Sequence, residues 1–382
     1  MAKTYEVAII GAGLIGLLTA RELSRAGVSV VVLERQQAGR ESTWAGGGII
    51  SPLYPWRYPE AVSALASWGQ QHYQELCRQL TEESGTDPQW QRSGLLIPNL
   101  DESERQRALQ WCQRWQNSAL EVDAKEMAKL EPLLATEALT TGLYLPEVAQ
   151  LRNSRLSRAL VKSTERSDID LKQHWPVSGI ESRGGCFYCR NSLGEQIAAA
   201  QVVLCGGAWS GELGDLAGES LSVAPVKGQM IAIPLEPEQI KRITLIDGHY
   251  FIPRRDGLLL VGSTLEPEAG FDKQISHAAA EELQRLAWRY LPALNGRVLR
   301  YHWAGLRPGS ENRGIPFIGK SRITDGIWYN CGHFRNGVVL GAASARLLAD
   351  LLLQRQPQLA SEPYRINSDA TMNKAKLNNI TI

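Results

Sequence analysis

Three patterns succeed one another in the first third of a hundred residues. Residues 5–10, Tyr-Glu-Val-Ala-Ile-Ile, form a nearly continuous apolar run, as a buried strand does. From Leu14 to Arg25 apolar residues recur at helical spacing, and the pattern stops before Gly27, a residue suited to the left-handed turn that ends a helix. Residues 28–33, apolar but for Ser29, predict a second buried strand.

Beyond that point the chain abandons simple alternation of strand and helix. Residues 40–51 read as a loop whose glycines, Gly46, Gly47 and Gly48, let backbone lie against a flat ligand. Helical spacing returns over 60–84, 101–118 and 151–166. Residues 171–190 read as strands, and 195–205 as a strand ending in Gly206-Gly207-Ala-Trp209. Residues 223–264 are strand-rich, 272–291 predict an amphipathic helix, and a strand over 298–306 leads into Arg307-Pro-Gly309. No repeat, low-complexity run or linker separates these stretches, so two domains are expected to be interleaved. The last dozen residues lack an apolar period and predict a loose tail.

Between the first two predicted strands lies Gly11-Ala-Gly13-Leu-Ile-Gly16, and Glu34 follows at the end of the second. Each part has a mechanical reason. Gly11 permits a tight turn, Gly13 lets backbone approach a pyrophosphate, Gly16 lets helix and strand pack closely, and Glu34 accepts from ribose hydroxyls about 20 residues on. A glycine triplet by itself is weak, but strand, helix, strand and terminal acid together point to a dinucleotide.

A chain of 382 residues can bury a sizeable core, and 41 basic against 40 acidic residues leave a net charge of +1. No global field favours nucleic acid or an anionic membrane, which leaves a small-molecule role. The N-terminal apolar stretch is too short and glycine-broken to span a bilayer, and a cytoplasmic protein is expected. Six cysteines scattered along the chain favour reduced thiols. Cys186-Phe-Tyr-Cys189 is the only C-x-x-C, but alternate strand faces and the lack of further ligands nearby argue against a metal, and none is expected.

One join stands out. An apolar helix after Gly337 is preceded by His333, Phe334, Arg335 and Asn336. Arginine cannot cap the donors of a helix start and is repelled by its positive end, so an anion should share that space.

With Ile9-Ile-Gly-Ala-Gly-Leu-Ile-Gly, Pro225-Val-Lys-Gly, Tyr250-Phe-Ile-Pro-Arg, Trp303-Ala-Gly-Leu-Arg-Pro-Gly, Pro316-Phe-Ile-Gly and Gly332-His-Phe-Arg-Asn-Gly in this order, the sequence resembles the D-amino-acid oxidase superfamily of flavoproteins. Within it the similarity is strongest to the bacterial glycine oxidases of thiamine biosynthesis. The resemblance implies an α/β protein of two domains, a Rossmann-like FAD-binding domain interleaved with a mixed β-sheet substrate domain. Residues 1–84, 145–220 and 310–365 are assigned to the first, 85–144 and 221–309 to the second, and 366–382 to the tail.

It further implies noncovalent FAD and oxidation of glycine, extending to sarcosine and small D-amino acids. Hydride passes from the substrate Cα to flavin N5, water hydrolyses the imine, and O2 reoxidises the flavin to give hydrogen peroxide. By motif, Arg307 would clamp the substrate carboxylate through a two-bond fork, Tyr250 would assist it, and Ile49 would limit substrate size. Arg335 would serve flavin or substrate. The cofactor set comprises Gly11, Gly13, Leu14, Ile15, Gly16, Glu34, Arg35, Ser42, Thr43, Gly46, Gly47, Gly48, Val177, Gly207, Trp209, His333, Arg335, Asn336, Gly337 and Val338. No general base is needed, and His302 and His333 are given none. A homotetramer is implied. Trp44 and Gly248-His249 depart from the family pattern and bear on substrate size. Cys331 does not match the flavin-tethering cysteine of sarcosine oxidases. Two other readings stay open: an amino-acid dehydrogenase passing electrons to quinone, and a flavin-binding partner protein without activity.

Overall fold

The computed structural model describes residues 3–137 and 139–366. The chain builds two sheets by passing between them. Its first stretch holds β1 (Thr4–Ile10), α1 (Leu14–Arg25), β2 (Val30–Leu33), the one-turn α2 (Ser42–Ala45) and α3 (Glu60–Ser84). The second holds β3 (Gln91–Arg92), β4 (Leu95–Pro98), α4 (Glu102–Arg114), β5 (Leu120–Asp123), α5 (Ala124–Leu130) and β6 (Thr141–Leu145). The third holds β7 (Ala149–Gln150), α6 (Asn153–Glu165), β8 (Asp170–Lys172), β9 (Val177–Arg183), β10 (Cys186–Asn191), β11 (Gln196–Leu204) and α7 (Ser210–Leu216). In the fourth are β12 (Val223–Pro234), β13 (Ile243–Ile246), β14 (His249–Pro253), β15 (Leu258–Gly262), α8 (His277–Tyr290) and β16 (Tyr301–Ser310). β17 (Phe317–Lys320), β18 (Ile327–Cys331) and α9 (Gly337–Leu352) complete it.

The first sheet runs β17-β18-β11-β1-β2-β8, with the β9–β10 hairpin leading off β11. β1 pairs in parallel with both β2 and β11, which places the switch of strand order at the fingerprint glycines. Val7 and Ile9 face a core shared with α1, α3, α6 and α9, while Ala8 and Ile10 face the opposite core. Both faces are buried, which is why the run could be continuously apolar. The second sheet runs β16-β12-β15-β14-β13-β4-β6-β5 and is antiparallel except at β13–β4. α8 covers one face with Leu283, Ala287 and Tyr290, and Met230, Tyr250 and Ile252 belong to the core on the other.

Several boundaries differ from the sequence reading. α8 begins at His277, not 272, because Asp272 turns the chain by accepting from the Gln274 N–H (2.9 Å) and Ser276 caps the helix by accepting from the Ala279 N–H (3.3 Å). The strand expected over 298–306 is β16, shifted forward so that Arg307 sits inside a ladder with β12 rather than after it. α4 stops at Arg114, where Gln116 takes a left-handed φ of 54°. β2 starts at Val30 rather than 28. β4, β5 and β6 had no counterpart in the sequence reading, and the glycine loop contains the helical turn α2. Ile366, assigned to the tail, is buried in the second core; the rest of the expected tail lies outside the described residues.

Candidate active site

One continuous cavity runs from Glu34 to Arg307, between the two sheets. At its first end β1 delivers Gly11 with a φ of 108°, a conformation side chains rarely adopt. A Cβ there would lie 2.4 Å from the Cys205 carbonyl oxygen, and one on Gly16 only 1.9 Å from the Gly11 carbonyl oxygen. Gly16 therefore packs helix against turn and is the one residue of the expected cofactor set that does not line the cavity. Glu34, buried at the end of β2, accepts from the Ala12 N–H (2.8 Å) and the Gln36 N–H (3.0 Å). Those two bonds fix its carboxylate at the glycine turn. Thr43 accepts from the Leu14 N–H (2.9 Å), so α2 is docked on the start of α1.

The wall continues through Gly13, Leu14, Ile15, Arg35, Ser42, Gly46, Gly47, Gly48, Val177, Gly207 and Trp209. Arg254 holds the glycine loop in place: it donates to the Gly47 carbonyl (2.6 Å), the Leu151 carbonyl (2.8 Å) and the Gln150 side chain (2.8 Å). Its burial pushes the guanidinium down to about 9. Asn153 donates to the Thr43 carbonyl at 2.9 Å, binding α6 to the same loop.

At the far end three strands converge. Met230 on β12 and Tyr250 on β14 both pair with Gly262 on the strand between them, β15. A Cβ on Gly262 would fall 2.8 Å from Met230 Cγ and 3.0 Å from Tyr250 Cε2. The missing side chain lets the two close over it, and the Tyr250 hydroxyl meets Met230 Sδ at 3.4 Å. Arg307 lies across Gly228, where a Cβ would meet Nη2 at 2.1 Å. Its guanidinium donates to Ser263 Oγ (2.6 Å) and to the Lys227 and Thr264 carbonyls (3.2 Å each), all neutral oxygens. Burial, followed by the charge on Arg335, pushes it down to about 10, so it stays protonated at neutral pH. Ile49 is buried beside Tyr250 and Met230 in the same core.

His333, Arg335, Asn336, Gly337 and Val338 close the cavity from the start of α9. His333 Nε2 is 2.9 Å from Ser344 Oγ, and burial drives the imidazole down to about 3. The ring is thereby uncharged at neutral pH, and its outer nitrogen is engaged by Ser344. Arg335 Nε and Asn336 Nδ2 are buried donors without a partner. Such donors call for acceptors from a ligand. His302, on β16, is half-buried with an unpartnered Nε2, and burial lowers its pKa. Among the described residues no group of His, Cys, Asp and Glu is arranged to hold a metal ion.

The sequence reading missed the neighbours that position Arg307: Gly228, Ser263 and Thr264. Gly228 stood in the quoted Pro225-Val-Lys-Gly, but only the β12–β16 register shows that it underlies the guanidinium. Nothing local marks Met230 as a cavity residue.

A glycine turn between parallel strands, an acid at the next strand end and a long cavity roofed by a second sheet define a dinucleotide-dependent enzyme. Residues 6–351 match the family described as FAD dependent oxidoreductase, and the chain belongs to it. It is 45% identical over 360 residues to the glycine oxidase of Pseudomonas aeruginosa, covering 94% of this chain and 98% of that one. The bifunctional protein ThiO/ThiG of Trichormus variabilis is 28% identical over 92% of this chain and 53% of its own. Among solved structures, glycine oxidase from Geobacillus kaustophilus superposes with a TM-score of 0.87 at 26% identity, covering 96% and 99%. FAD fits the residues present: the acceptor-rich edge of a flavin suits the unpartnered donors on Arg335 and Asn336, and Glu34 with the glycine turn suits ribose and pyrophosphate.

Proposed function

We propose that the protein oxidises glycine to its imine, with dioxygen as electron acceptor and hydrogen peroxide as by-product, in support of thiazole formation for thiamine. FAD, when bound, supplies the two-electron acceptor. The observation that carries the substrate assignment is Arg307, a half-buried cation bonded only to neutral oxygens, beside the Tyr250 hydroxyl and close enough to Arg335 to feel its charge. A carboxylate is the ligand this place lacks, and a guanidinium fork takes one through two charge-assisted bonds. The apolar side chains of Ile49, Leu53 and Met230 surround the rest of the space. An apolar wall of this kind suits glycine, and by extension sarcosine or small D-amino acids, better than an amino acid with a polar side chain. The wall also disfavours the ammonium form of the bound amine, so the neutral amine from which a hydride can leave is enriched. No base is required; Arg307 and Tyr250 orient the carboxylate and the wall excludes water.

Relatives named glycine oxidase and ThiO/ThiG support the reaction and its setting. Six free cysteines suit a reducing, cytoplasmic compartment. The test is to mix the yellow protein anaerobically with glycine, sarcosine, D-alanine and D-proline, follow the loss of flavin colour, then admit air and assay peroxide. Glycine is expected to bleach it fastest and air to restore the colour. Absence of bleaching by every amine overturns the reading, and bleaching without rapid recovery in air selects a dehydrogenase.

A further inference from the structure

The segment 263–276 joins β15 to α8 and does more than connect them. Its ends are pinned to β12: Glu266 and Lys227 exchange backbone bonds (2.9 and 3.2 Å), the Glu266 carboxylate meets Gln229 Nε2 (2.8 Å) and Lys227 Nζ (3.3 Å), and the Ser276 N–H donates to Gln229 Oε1 (2.9 Å). Between these anchors the chain leaves its own sheet and reaches the other. Phe271 stacks on Trp209 with ring centres 5.1 Å apart, and the Arg35 guanidinium packs on the same indole at 3.4 Å. Lys273 pairs with Glu41 (3.2 Å), and Glu41 with Arg35 (3.2 Å). Arg35, Glu41 and Trp209 all line the cavity, beside Glu34.

We propose that this segment is a strap that retains FAD, with Phe271 and Lys273 as its contact residues across the dinucleotide end of the cavity. Phe271, 40% exposed, gains by stacking on Trp209, and the stack ties the segment to a residue of the cavity wall at its dinucleotide end. The strap begins at Ser263 and Thr264, which hold Arg307, so one short segment touches both ends of the cavity. The proposal rests on FAD binding and is independent of which amine is oxidised.

The experiment measures FAD release from holoprotein, followed by recovery of flavin fluorescence on dilution, together with the melting temperature of the apoprotein. Phe271→Ala is expected to speed release about tenfold, the size of one aromatic contact, and Lys273→Ala two- to threefold, as befits a partly exposed pair. Phe271→Tyr restores slow release, and kcat at saturating FAD stays at the wild-type value in all three. Unchanged release in Phe271→Ala overturns the proposal. So does faster release accompanied by a matching fall in apoprotein melting temperature, which would make the contact a brace between the sheets.

Discussion

The two ends of the cavity are made by opposite means. At the dinucleotide end a contiguous turn, Gly11 to Gly16, presents backbone; Gly11 and Gly16 are fixed by clashes a Cβ would create, and Gly13 between them lines the cavity. At the substrate end nothing is contiguous: Met230, Tyr250, Arg307 and Arg335 arrive from β12, β14, β16 and the start of α9. At the first end Gly11 and Gly16 leave no space for a side chain, and the turn itself needs little topology. The second is all side chains and depends on strand register, with glycines at 228 and 262 as the spaces into which those side chains settle. Recognition by backbone is thus concentrated in sequence, and recognition by side chains is dispersed.

That contrast is sharpest under mutation. Gly16→Val should have the largest effect, because its Cβ meets a backbone oxygen that cannot move aside. Colourless or insoluble protein is expected, read as flavin absorbance per mole of chain. Arg307→Leu should keep FAD and lower kcat/KM for glycine by about 10² to 10⁴, the range for removing one partner of a buried charge pair. Rapid-mixing kinetics with flavin absorbance as a control separate the two outcomes, and a colourless Arg307→Leu would mean that the ends are not independent. Gly228→Ala should cost about tenfold in KM with FAD intact, since the new methyl displaces a side chain and not backbone.

The smallest effect is one of pH. Arg307, lowered to about 10, loses its charge as pH rises through that value. Binding of acetate, which has a carboxylate but no amine, should be level from pH 7 to 9 and weaken above about 10. Spectral titration of the bound flavin checks it, and level affinity at higher pH would leave Arg307 out of the clamp.

The same contrast decides what could be read from sequence. The bounds of α1 and α3 were legible because apolar spacing and terminal glycines are local signals. The short strands β4, β5 and β6 were not, since four or five residues carry too little period to distinguish them from loop. Glu34 and the fingerprint were readable as one motif. Arg307 and Tyr250 entered through resemblance, and Ser263 and Gly228 waited on the register that sets them beside the guanidinium. The strap was invisible for a further reason: the helical spacing of α8 extends back over 272–276 in the sequence, and its Lys273 finds its partner more than two hundred residues away.

The order in which the chain visits its two sheets also sets an order of events during synthesis. The fingerprint is synthesised before residues 333–338 and α9, which packs on α1, and only these later parts finish the cavity wall. A nascent chain therefore carries its nucleotide-binding turn through the synthesis of both sheets before the wall that would keep the cofactor is complete. FAD is accordingly expected to be retained only after that helix has been made, and until then the emerging chain has to keep its half-built sheets from associating.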